Sequence, residues 1–310
     1  MLPSKMNKRS TLPVLLILLI SAAPAFALSG NECPNDETEF TNVQKRAAKG
    51  DPSAQTALAI CYDLGGHVQP SRAENLRWLT AAASQDYAPA EYELGRTYLY
   101  GRGVPADYAK ALLWERKAAE QGDPRAQRDL ALIYERGFGV KADPVQSVFW
   151  NRKAATQGQP DAQLKLAQAL EGGDGVTRDT TEARRLYAEA AKRNQPLAQL
   201  QLARIYSKDS DCRRSIHWYK EAAAGGESAA MYELGTLYLS KTCGENRLLA
   251  LQWLSIGARF GSRESKIAAD KLRPGLSQKE QKYSASQAAR WIAHHSGAQI
   301  EEDEKERDEH

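Results

Sequence analysis

The apolar positions of this chain return at an interval of 36 residues. Ala54, Ala90, Ala126, Ala162 and Ala198 open successive copies at that spacing, and Ala230 opens a sixth after a copy shortened to 32. Leu follows four residues later in every copy (Leu58, Leu94, Leu130, Leu166, Leu202, Leu234), and Tyr usually four after that, with Leu170 in its place in the fourth. A Gly-rich turn such as Gly101-Arg102-Gly103-Val104 leads to a second apolar segment, with Trp78, Trp114, Trp150, Trp218 and Trp253 in register. Leu186 holds the Trp position in the fourth copy, and the copies close on Ala-Ala, usually with Gly after it. Spacing of i, i+4 and i+8 predicts one apolar stripe per helix, on helices of about 11 to 14 residues. Two helix-length segments per copy predict an all-α solenoid, because one pair cannot bury its apolar face alone and stacked neighbours create the core.

The full pattern, A-x3-L-G-x2-Y-x2-G-x-G-V followed by A-x2-W-x3-A-A-x2-G, resembles the Sel1-like repeats, longer cousins of tetratricopeptide repeats. The copy from Ala90 through Tyr98, with Gly101-Arg102-Gly103-Val104 and Trp114, matches it best. The resemblance runs over about residues 38 to 272. It implies a right-handed superhelical solenoid of helix-turn-helix repeats that presents an adaptor surface. Relatives of this kind serve many unrelated partners, so the fold does not select a function.

In tetratricopeptide-like arrays the first helix of each pair lines the concave face, which directs attention to positions two and six after each opening Ala. The partner-binding candidates are Tyr92, Arg96, Arg128, Leu132, Gln168, Arg204 and Tyr232. Aromatic and Arg side chains are the commonest interface anchors, and guanidinium groups suit a peptide that carries carboxylates. The recurring Trp residues are read as core. The Gly-x-Gly-Val turns have no strand before them and no Gly-Lys-Ser/Thr after them, so they supply left-handed turn geometry rather than a phosphate cradle. Repeat four, with Leu170, Leu186 and Glu171-Gly172-Gly173, is expected to be a weak point or hinge.

Both ends of the array read as caps. Residues 38 to 49 match only the second half of a repeat and predict a starter helix. Ser277-Gln278-Lys279-Glu280 is a capping box opening a helix to about His295, with Ala288, Ala289, Trp291 and Ile292 on its apolar side. The expected layout is an export signal over 1–27, an N-terminal extension with the starter helix over 28–53, six repeats over 54–272, a capping helix over 273–296 and an acidic tail over 297–310.

The first segment carries Lys5, Lys8 and Arg9, an apolar run from Leu12 to Ile20, and Ala25-Phe26-Ala27 as a small-x-small cleavage site. The run is shorter than the ~20 residues a spanning helix needs, so cleavage near Ala27 and a periplasmic or secreted protein without stable membrane insertion are expected. Cys33 follows Asn31-Glu32 rather than a small-residue lipobox, which argues against a lipid anchor. Loss of the signal leaves 39 basic against 39 acidic residues. A neutral chain argues against a general nucleic-acid role. Residues 301–310 hold seven acidic and two basic side chains and are expected to be a solvated tail.

Four cysteines in an exported chain are disulfide candidates. Cys33 and Cys61 flank the start of the array, and Cys212 and Cys243 hold nearly equivalent loop positions of adjacent repeats, so Cys33–Cys61 and Cys212–Cys243 are the expected pairs. No Cys-x-x-Cys marks a redox site. Cysteine-rich relatives have been associated with β-lactam chemistry, but the mature chain has no Ser-x-x-Lys, Ser-Asp-Asn or Lys-Thr-Gly, only Lys241-Thr242-Cys243 as a partial echo. It also lacks His-Glu-x-x-His and Gly-x-Ser-x-Gly. His294 and His295 suit the negative end of a helix better than a metal. The expectation is a non-enzymatic adaptor, without cofactor or metal, that binds a protein or peptide. A cell-wall or exopolysaccharide binder is the alternative, ahead of a β-lactamase-like hydrolase.

Overall fold

The computed structural model describes residues 33–65 and 67–295, so the export segment with its cleavage site and the acidic tail lie outside the described residues. Those residues form fifteen α-helices and two short 3₁₀ turns, with no strand. α1 (Glu37–Ala48) is the starter helix, opened by Asp36, whose carboxylate accepts from the Thr38 and Glu39 amides at 2.8 and 3.0 Å. Six pairs follow: α2 (Pro52–Leu64) with α3 (Arg72–Ala83), α4 (Ala88–Tyr100) with α5 (Tyr108–Glu120), α6 (Pro124–Arg136) with α7 (Pro144–Thr156), α8 (Pro160–Gly172) with α9 (Thr180–Lys192), α10 (Pro196–Lys208) with α11 (Cys212–Ala224), and α12 (Ser228–Leu237) with α13 (Arg247–Arg259). α14 (Arg263–Leu272) and α15 (Gln278–His295) both pack on α13.

Each first helix begins two residues before the repeat's opening Ala. Four of them start on Pro, which lacks only an amide that no helical carbonyl would have received. The turns between partners contain left-handed glycines, except between α10 and α11, where Ser210 takes that conformation at φ +59°. At Gly139 φ is +69°, and a Cβ would lie 2.9 Å from the Tyr108 backbone, so this glycine lets the turn of repeat three seat on the start of α5.

The packing repeats as the sequence does. Trp114 packs against the cluster that holds Ala82, Ala83, Ala90 and Leu94, Trp150 belongs to the one with Ala118, Ala119, Ala126 and Leu130, and Trp218 packs against the one with Ala190, Ala191, Ala198 and Leu202. Each of these clusters joins the end of one second helix to the first helix that follows it. Trp150 and Trp253 are buried, whereas Trp78, Trp114 and Trp218 are only partly so. The deepest place belongs to the next residue: Leu79, Glu115, Asn151, Tyr187, Tyr219 and Leu254 are all buried.

A polar ladder accompanies this core. Gln55, Gln127, Gln163 and Gln199, each one residue after an opening Ala, are buried and donate to the carbonyls of Ala47, Ala119, Ala155 and Ala191 at 3.2 to 3.3 Å. Each of those carbonyls lies in the last turn of the preceding helix and already accepts an amide three residues on (Gly50, Gly122, Gly158 and Asn194), so each Gln adds a second donor from the next repeat.

The expected pairs Cys33–Cys61 and Cys212–Cys243 both form, with Cα separations of 4.9 and 5.4 Å. The capping box closes, with the Ser277 amide donating to Glu280 Oε2 at 2.8 Å and the Glu280 amide to Ser277 Oγ at 3.4 Å. On α15, Ala288 is buried and Trp291 and Ile292 pack against the last core cluster, but Ala289 is exposed. It lies one residue past Ala288, about 100° round the helix from the buried stripe. No described helix is long and apolar enough to cross a membrane.

Candidate functional site

The first helices present two rows of different accessibility. Position two is mostly closed: Thr56, Tyr92, Leu164 and Leu200 are buried, and only Arg128 and Tyr232 are partly open. Tyr92, expected as an exposed anchor, is 3% exposed because it packs towards the next repeat, on Ala126 and Leu130 of α6. Burial pushes its phenol up to about 12, so it stays neutral. Position six is the open row, with Arg96, Leu132 and Arg204 half-buried and Gln168 exposed.

Repeats two and three bring several candidates together. The Arg96 guanidinium lies 5.5 Å from the Tyr92 ring centre and 5.7 Å from that of Tyr100. Arg125, which sequence reasoning missed, stacks over the other side of Tyr92 at 4.2 Å while its Nη2 holds the buried Asp123 at 2.7 Å. Arg128 donates to Asp129 at 2.8 and 2.9 Å and lies 3.6 Å from Asp161 of repeat four. Arg204 and Tyr232 belong to a separate place. Arg204 makes a two-pronged pair with Glu233, which also accepts from the Tyr219 hydroxyl at 2.9 Å, and Tyr232 packs against the core of repeats five and six. Gln168 lines a cleft of about 340 Å³ with Glu135, Asn151 and Lys165.

Beside Arg128 a cleft of about 480 Å³ spans repeats two to five. Tyr100, Leu132, Leu164 and Leu197 give it apolar walls, and Asn151 and Gln195 supply side-chain amides. Tyr100 and Leu197 are 52% and 40% exposed, which makes them the accessible apolar contacts here. The charges are matched within the chain: Lys165 pairs with Glu135 at 3.0 Å, and Gln195 donates to Asp161 at 3.0 Å. Arg128 and Arg204 are both engaged by carboxylates of the chain, so the guanidinium groups do not present the open anion site that their residue type suggested. Tyr100, at the last position of α4, and Leu197, at the second position of α10, fall outside the two rows that helix analogy selects.

The deepest charged group is Glu115 of α5, fully buried against Gly95, where a Cβ would lie 2.9 Å from the carboxyl carbon. Neither carboxyl oxygen has a hydrogen-bond partner. Burial, with Asp129 and Asp123 adding repulsion, holds this carboxyl well above its ordinary range.

The Sel1 repeat model matches six consecutive segments, residues 52–87, 88–123, 124–159, 160–195, 196–227 and 228–261. A protective antigen of uropathogenic Escherichia coli with this repeat fold is 32% identical, with a TM-score of 0.73 over 84% of this chain. The chain spans 56% of that antigen's length. A Sel1 repeat protein from Oxalobacter formigenes is 30% identical, with a TM-score of 0.63 over 71% of this chain and 92% of its own. No curated protein matches.

Proposed function

Because the chain belongs to the Sel1 repeat family, whose repeats make a scaffold fold suited to protein binding, we propose that it is a non-enzymatic adaptor acting in the periplasm or outside the cell. Two disulfides and the basic-apolar-small pattern of residues 1–27 support the exported location. The observation that carries the binding reading is the cleft of Tyr100, Leu132, Leu164 and Leu197. Apolar walls flanked by the amides of Asn151 and Gln195 suit an extended peptide, whose backbone meets the amides and whose apolar side chains meet the walls. A glycan would need several aromatic platforms, and Tyr100 is the aromatic residue lining this cleft.

A photo-crosslinking amino acid placed at Leu132 in the cell envelope tests this, with the same group at the exposed Glu120 as control. A discrete protein adduct at position 132 that disappears in Tyr100→Ala/Leu197→Asp supports the adaptor and its cleft. An adduct that survives this double variant would place the partner elsewhere, and the absence of a protein adduct at either position would favour the glycan reading.

A further inference from the structure

The last helix closes the array with one side packed and the other open. On the packed side the Ser284 hydroxyl donates to the Leu248 carbonyl at 3.2 Å, Ala288 is buried, and Trp291 packs against the last core cluster. On the opposite side Lys279, Tyr283, Ser286 and Arg290 follow the i, i+4, i+7, i+11 spacing of one helix face, with Lys282 at its edge. All five are exposed, and Tyr283, at 58%, stands as an open ring among cations.

The charges of this face are unmatched. Glu280 is the one carboxylate of α15, and it is engaged by the capping box, accepting from the amide and the hydroxyl of Ser277 at 2.8 and 2.7 Å. Lys279, Lys282 and Arg290 pair with no carboxylate among the described residues. The imbalance extends beyond the helix, since residues 178–295 hold 20 Lys and Arg against 12 Asp and Glu. The opposite charge comes next along the chain. No carboxylate stands between Glu280 and Glu301, and residues 301–310 then hold seven acidic and two basic side chains.

We propose that the acidic segment 301–310 turns back along α15 and lies on this face as a strap. Its carboxylates meet Lys279, Lys282 and Arg290, and the Tyr283 ring receives the methylene stems between them. The lengths agree: α15, with 18 residues, rises ~27 Å, and ten extended residues reach ~33 Å. The connecting residues 296–300 include Gly297, just past the helix end, where glycine readily takes the left-handed conformation that turns a chain. So short a connector sets an effective concentration in roughly the millimolar range, so exposed ion pairs too weak to hold a separate peptide suffice within one chain. The strap keeps the cations of the cap from anionic surfaces outside the chain. It shares no residue with the cleft beside Arg128.

The test uses the mature protein with p-benzoylphenylalanine in place of Tyr283, which keeps a ring there, and with the same photoreactive group in place of the exposed Tyr108 as control. Isotope-labelled and unlabelled protein are mixed and irradiated, and the cross-linked peptides are identified by mass spectrometry. Position 283 is expected to link to residues 296–310 of its own copy about tenfold more than position 108 does, with the yield falling about tenfold at ~0.5 M salt. Lys279→Glu/Lys282→Glu/Arg290→Glu alters exposed residues only and is expected to remove the link while the helical spectrum stays. A second reading leaves the face intact: Glu301→Gln/Glu302→Gln/Asp303→Asn/Glu304→Gln should shift the amide NMR signals of Lys282, Tyr283 and Arg290. No link to residues 296–310, equal yield from both positions, a yield indifferent to salt, amide signals unmoved by the tail variant, or links only between labelled and unlabelled copies would overturn the strap.

Discussion

Gln127 Nε2 donates to the Ala119 carbonyl at 3.2 Å, closing the end of α5 from the next repeat. Glu91 holds the same register one repeat earlier, and a carboxylate cannot donate to the matching carbonyl at the end of α3. Glu91 is fully buried, accepts from Gln121 at 2.6 Å and leaves Oε1 without a hydrogen bond, and burial raises its pKa.

Glu91→Gln is therefore expected to stabilise the protein by about 1 kcal/mol, the net worth of a restored buried hydrogen bond. Urea unfolding at pH 7 measures it. A destabilised variant would show that the Glu91 contact with Lys117, at 3.8 Å, outweighs the ladder.

Glu115 gives a pH signature. Its folded carboxyl titrates above the ordinary 4.5, so the folded state keeps a proton that the unfolded chain releases. Stability from this group is complete below about 4.5 and falls as pH rises from there to the raised folded value. The stability of Glu115→Gln relative to the wild type should accordingly climb with pH over that window. Glu115→Leu, matching Leu79 and Leu254 at the same register, should gain about 1–3 kcal/mol at pH 7. A pH-independent difference between wild type and Glu115→Gln would mean that the carboxyl is solvated.

Cys212–Cys243 joins the loops of repeats five and six across 31 residues. Replacing both by Ser is expected to cost about 2–4 kcal/mol, seen as a lower denaturation midpoint without loss of helical signal. Exchange protection should fall most in α11 to α13. An unchanged midpoint would show that helix packing alone fixes these loops.

Repeat four remains the expected weak point. Leu186 buries less apolar surface than the Trp of its neighbours, so α8 and α9 should exchange amide hydrogens sooner than α6 and α10. Uniform protection over these four helices would remove the hinge.

Much of this was legible beforehand because a repeat samples each packing position six times. Ala54 and its equivalents fixed the register, the glycine turns fixed the pair boundaries, and the equivalence of Cys212 and Cys243 fixed their disulfide. The site was less legible. Tyr92 has the residue type of an interface anchor but points into α6, and Tyr100 lies at a helix end that the two-row rule does not reach. Arg128 and Arg204 read as open cations, but Arg128 is held by Asp129 beside it, with Asp161 of the following repeat at 3.6 Å, and Arg204 by Glu233 of the following repeat.

The sequence by itself determined the all-helical solenoid, its six copies and its covalent ties, because periodicity is a one-dimensional property that stacking preserves. Only the tertiary structure decided which members of a row stay open. That depends on contacts between helices: Glu115 is sealed against Gly95 of its pair partner, and the Gln ladder reaches back to carbonyls of the preceding helix. Each such outcome is set by two residues on different helices, eight positions apart in the Gln ladder and 20 apart for Glu115 and Gly95, and neither residue alone carries it.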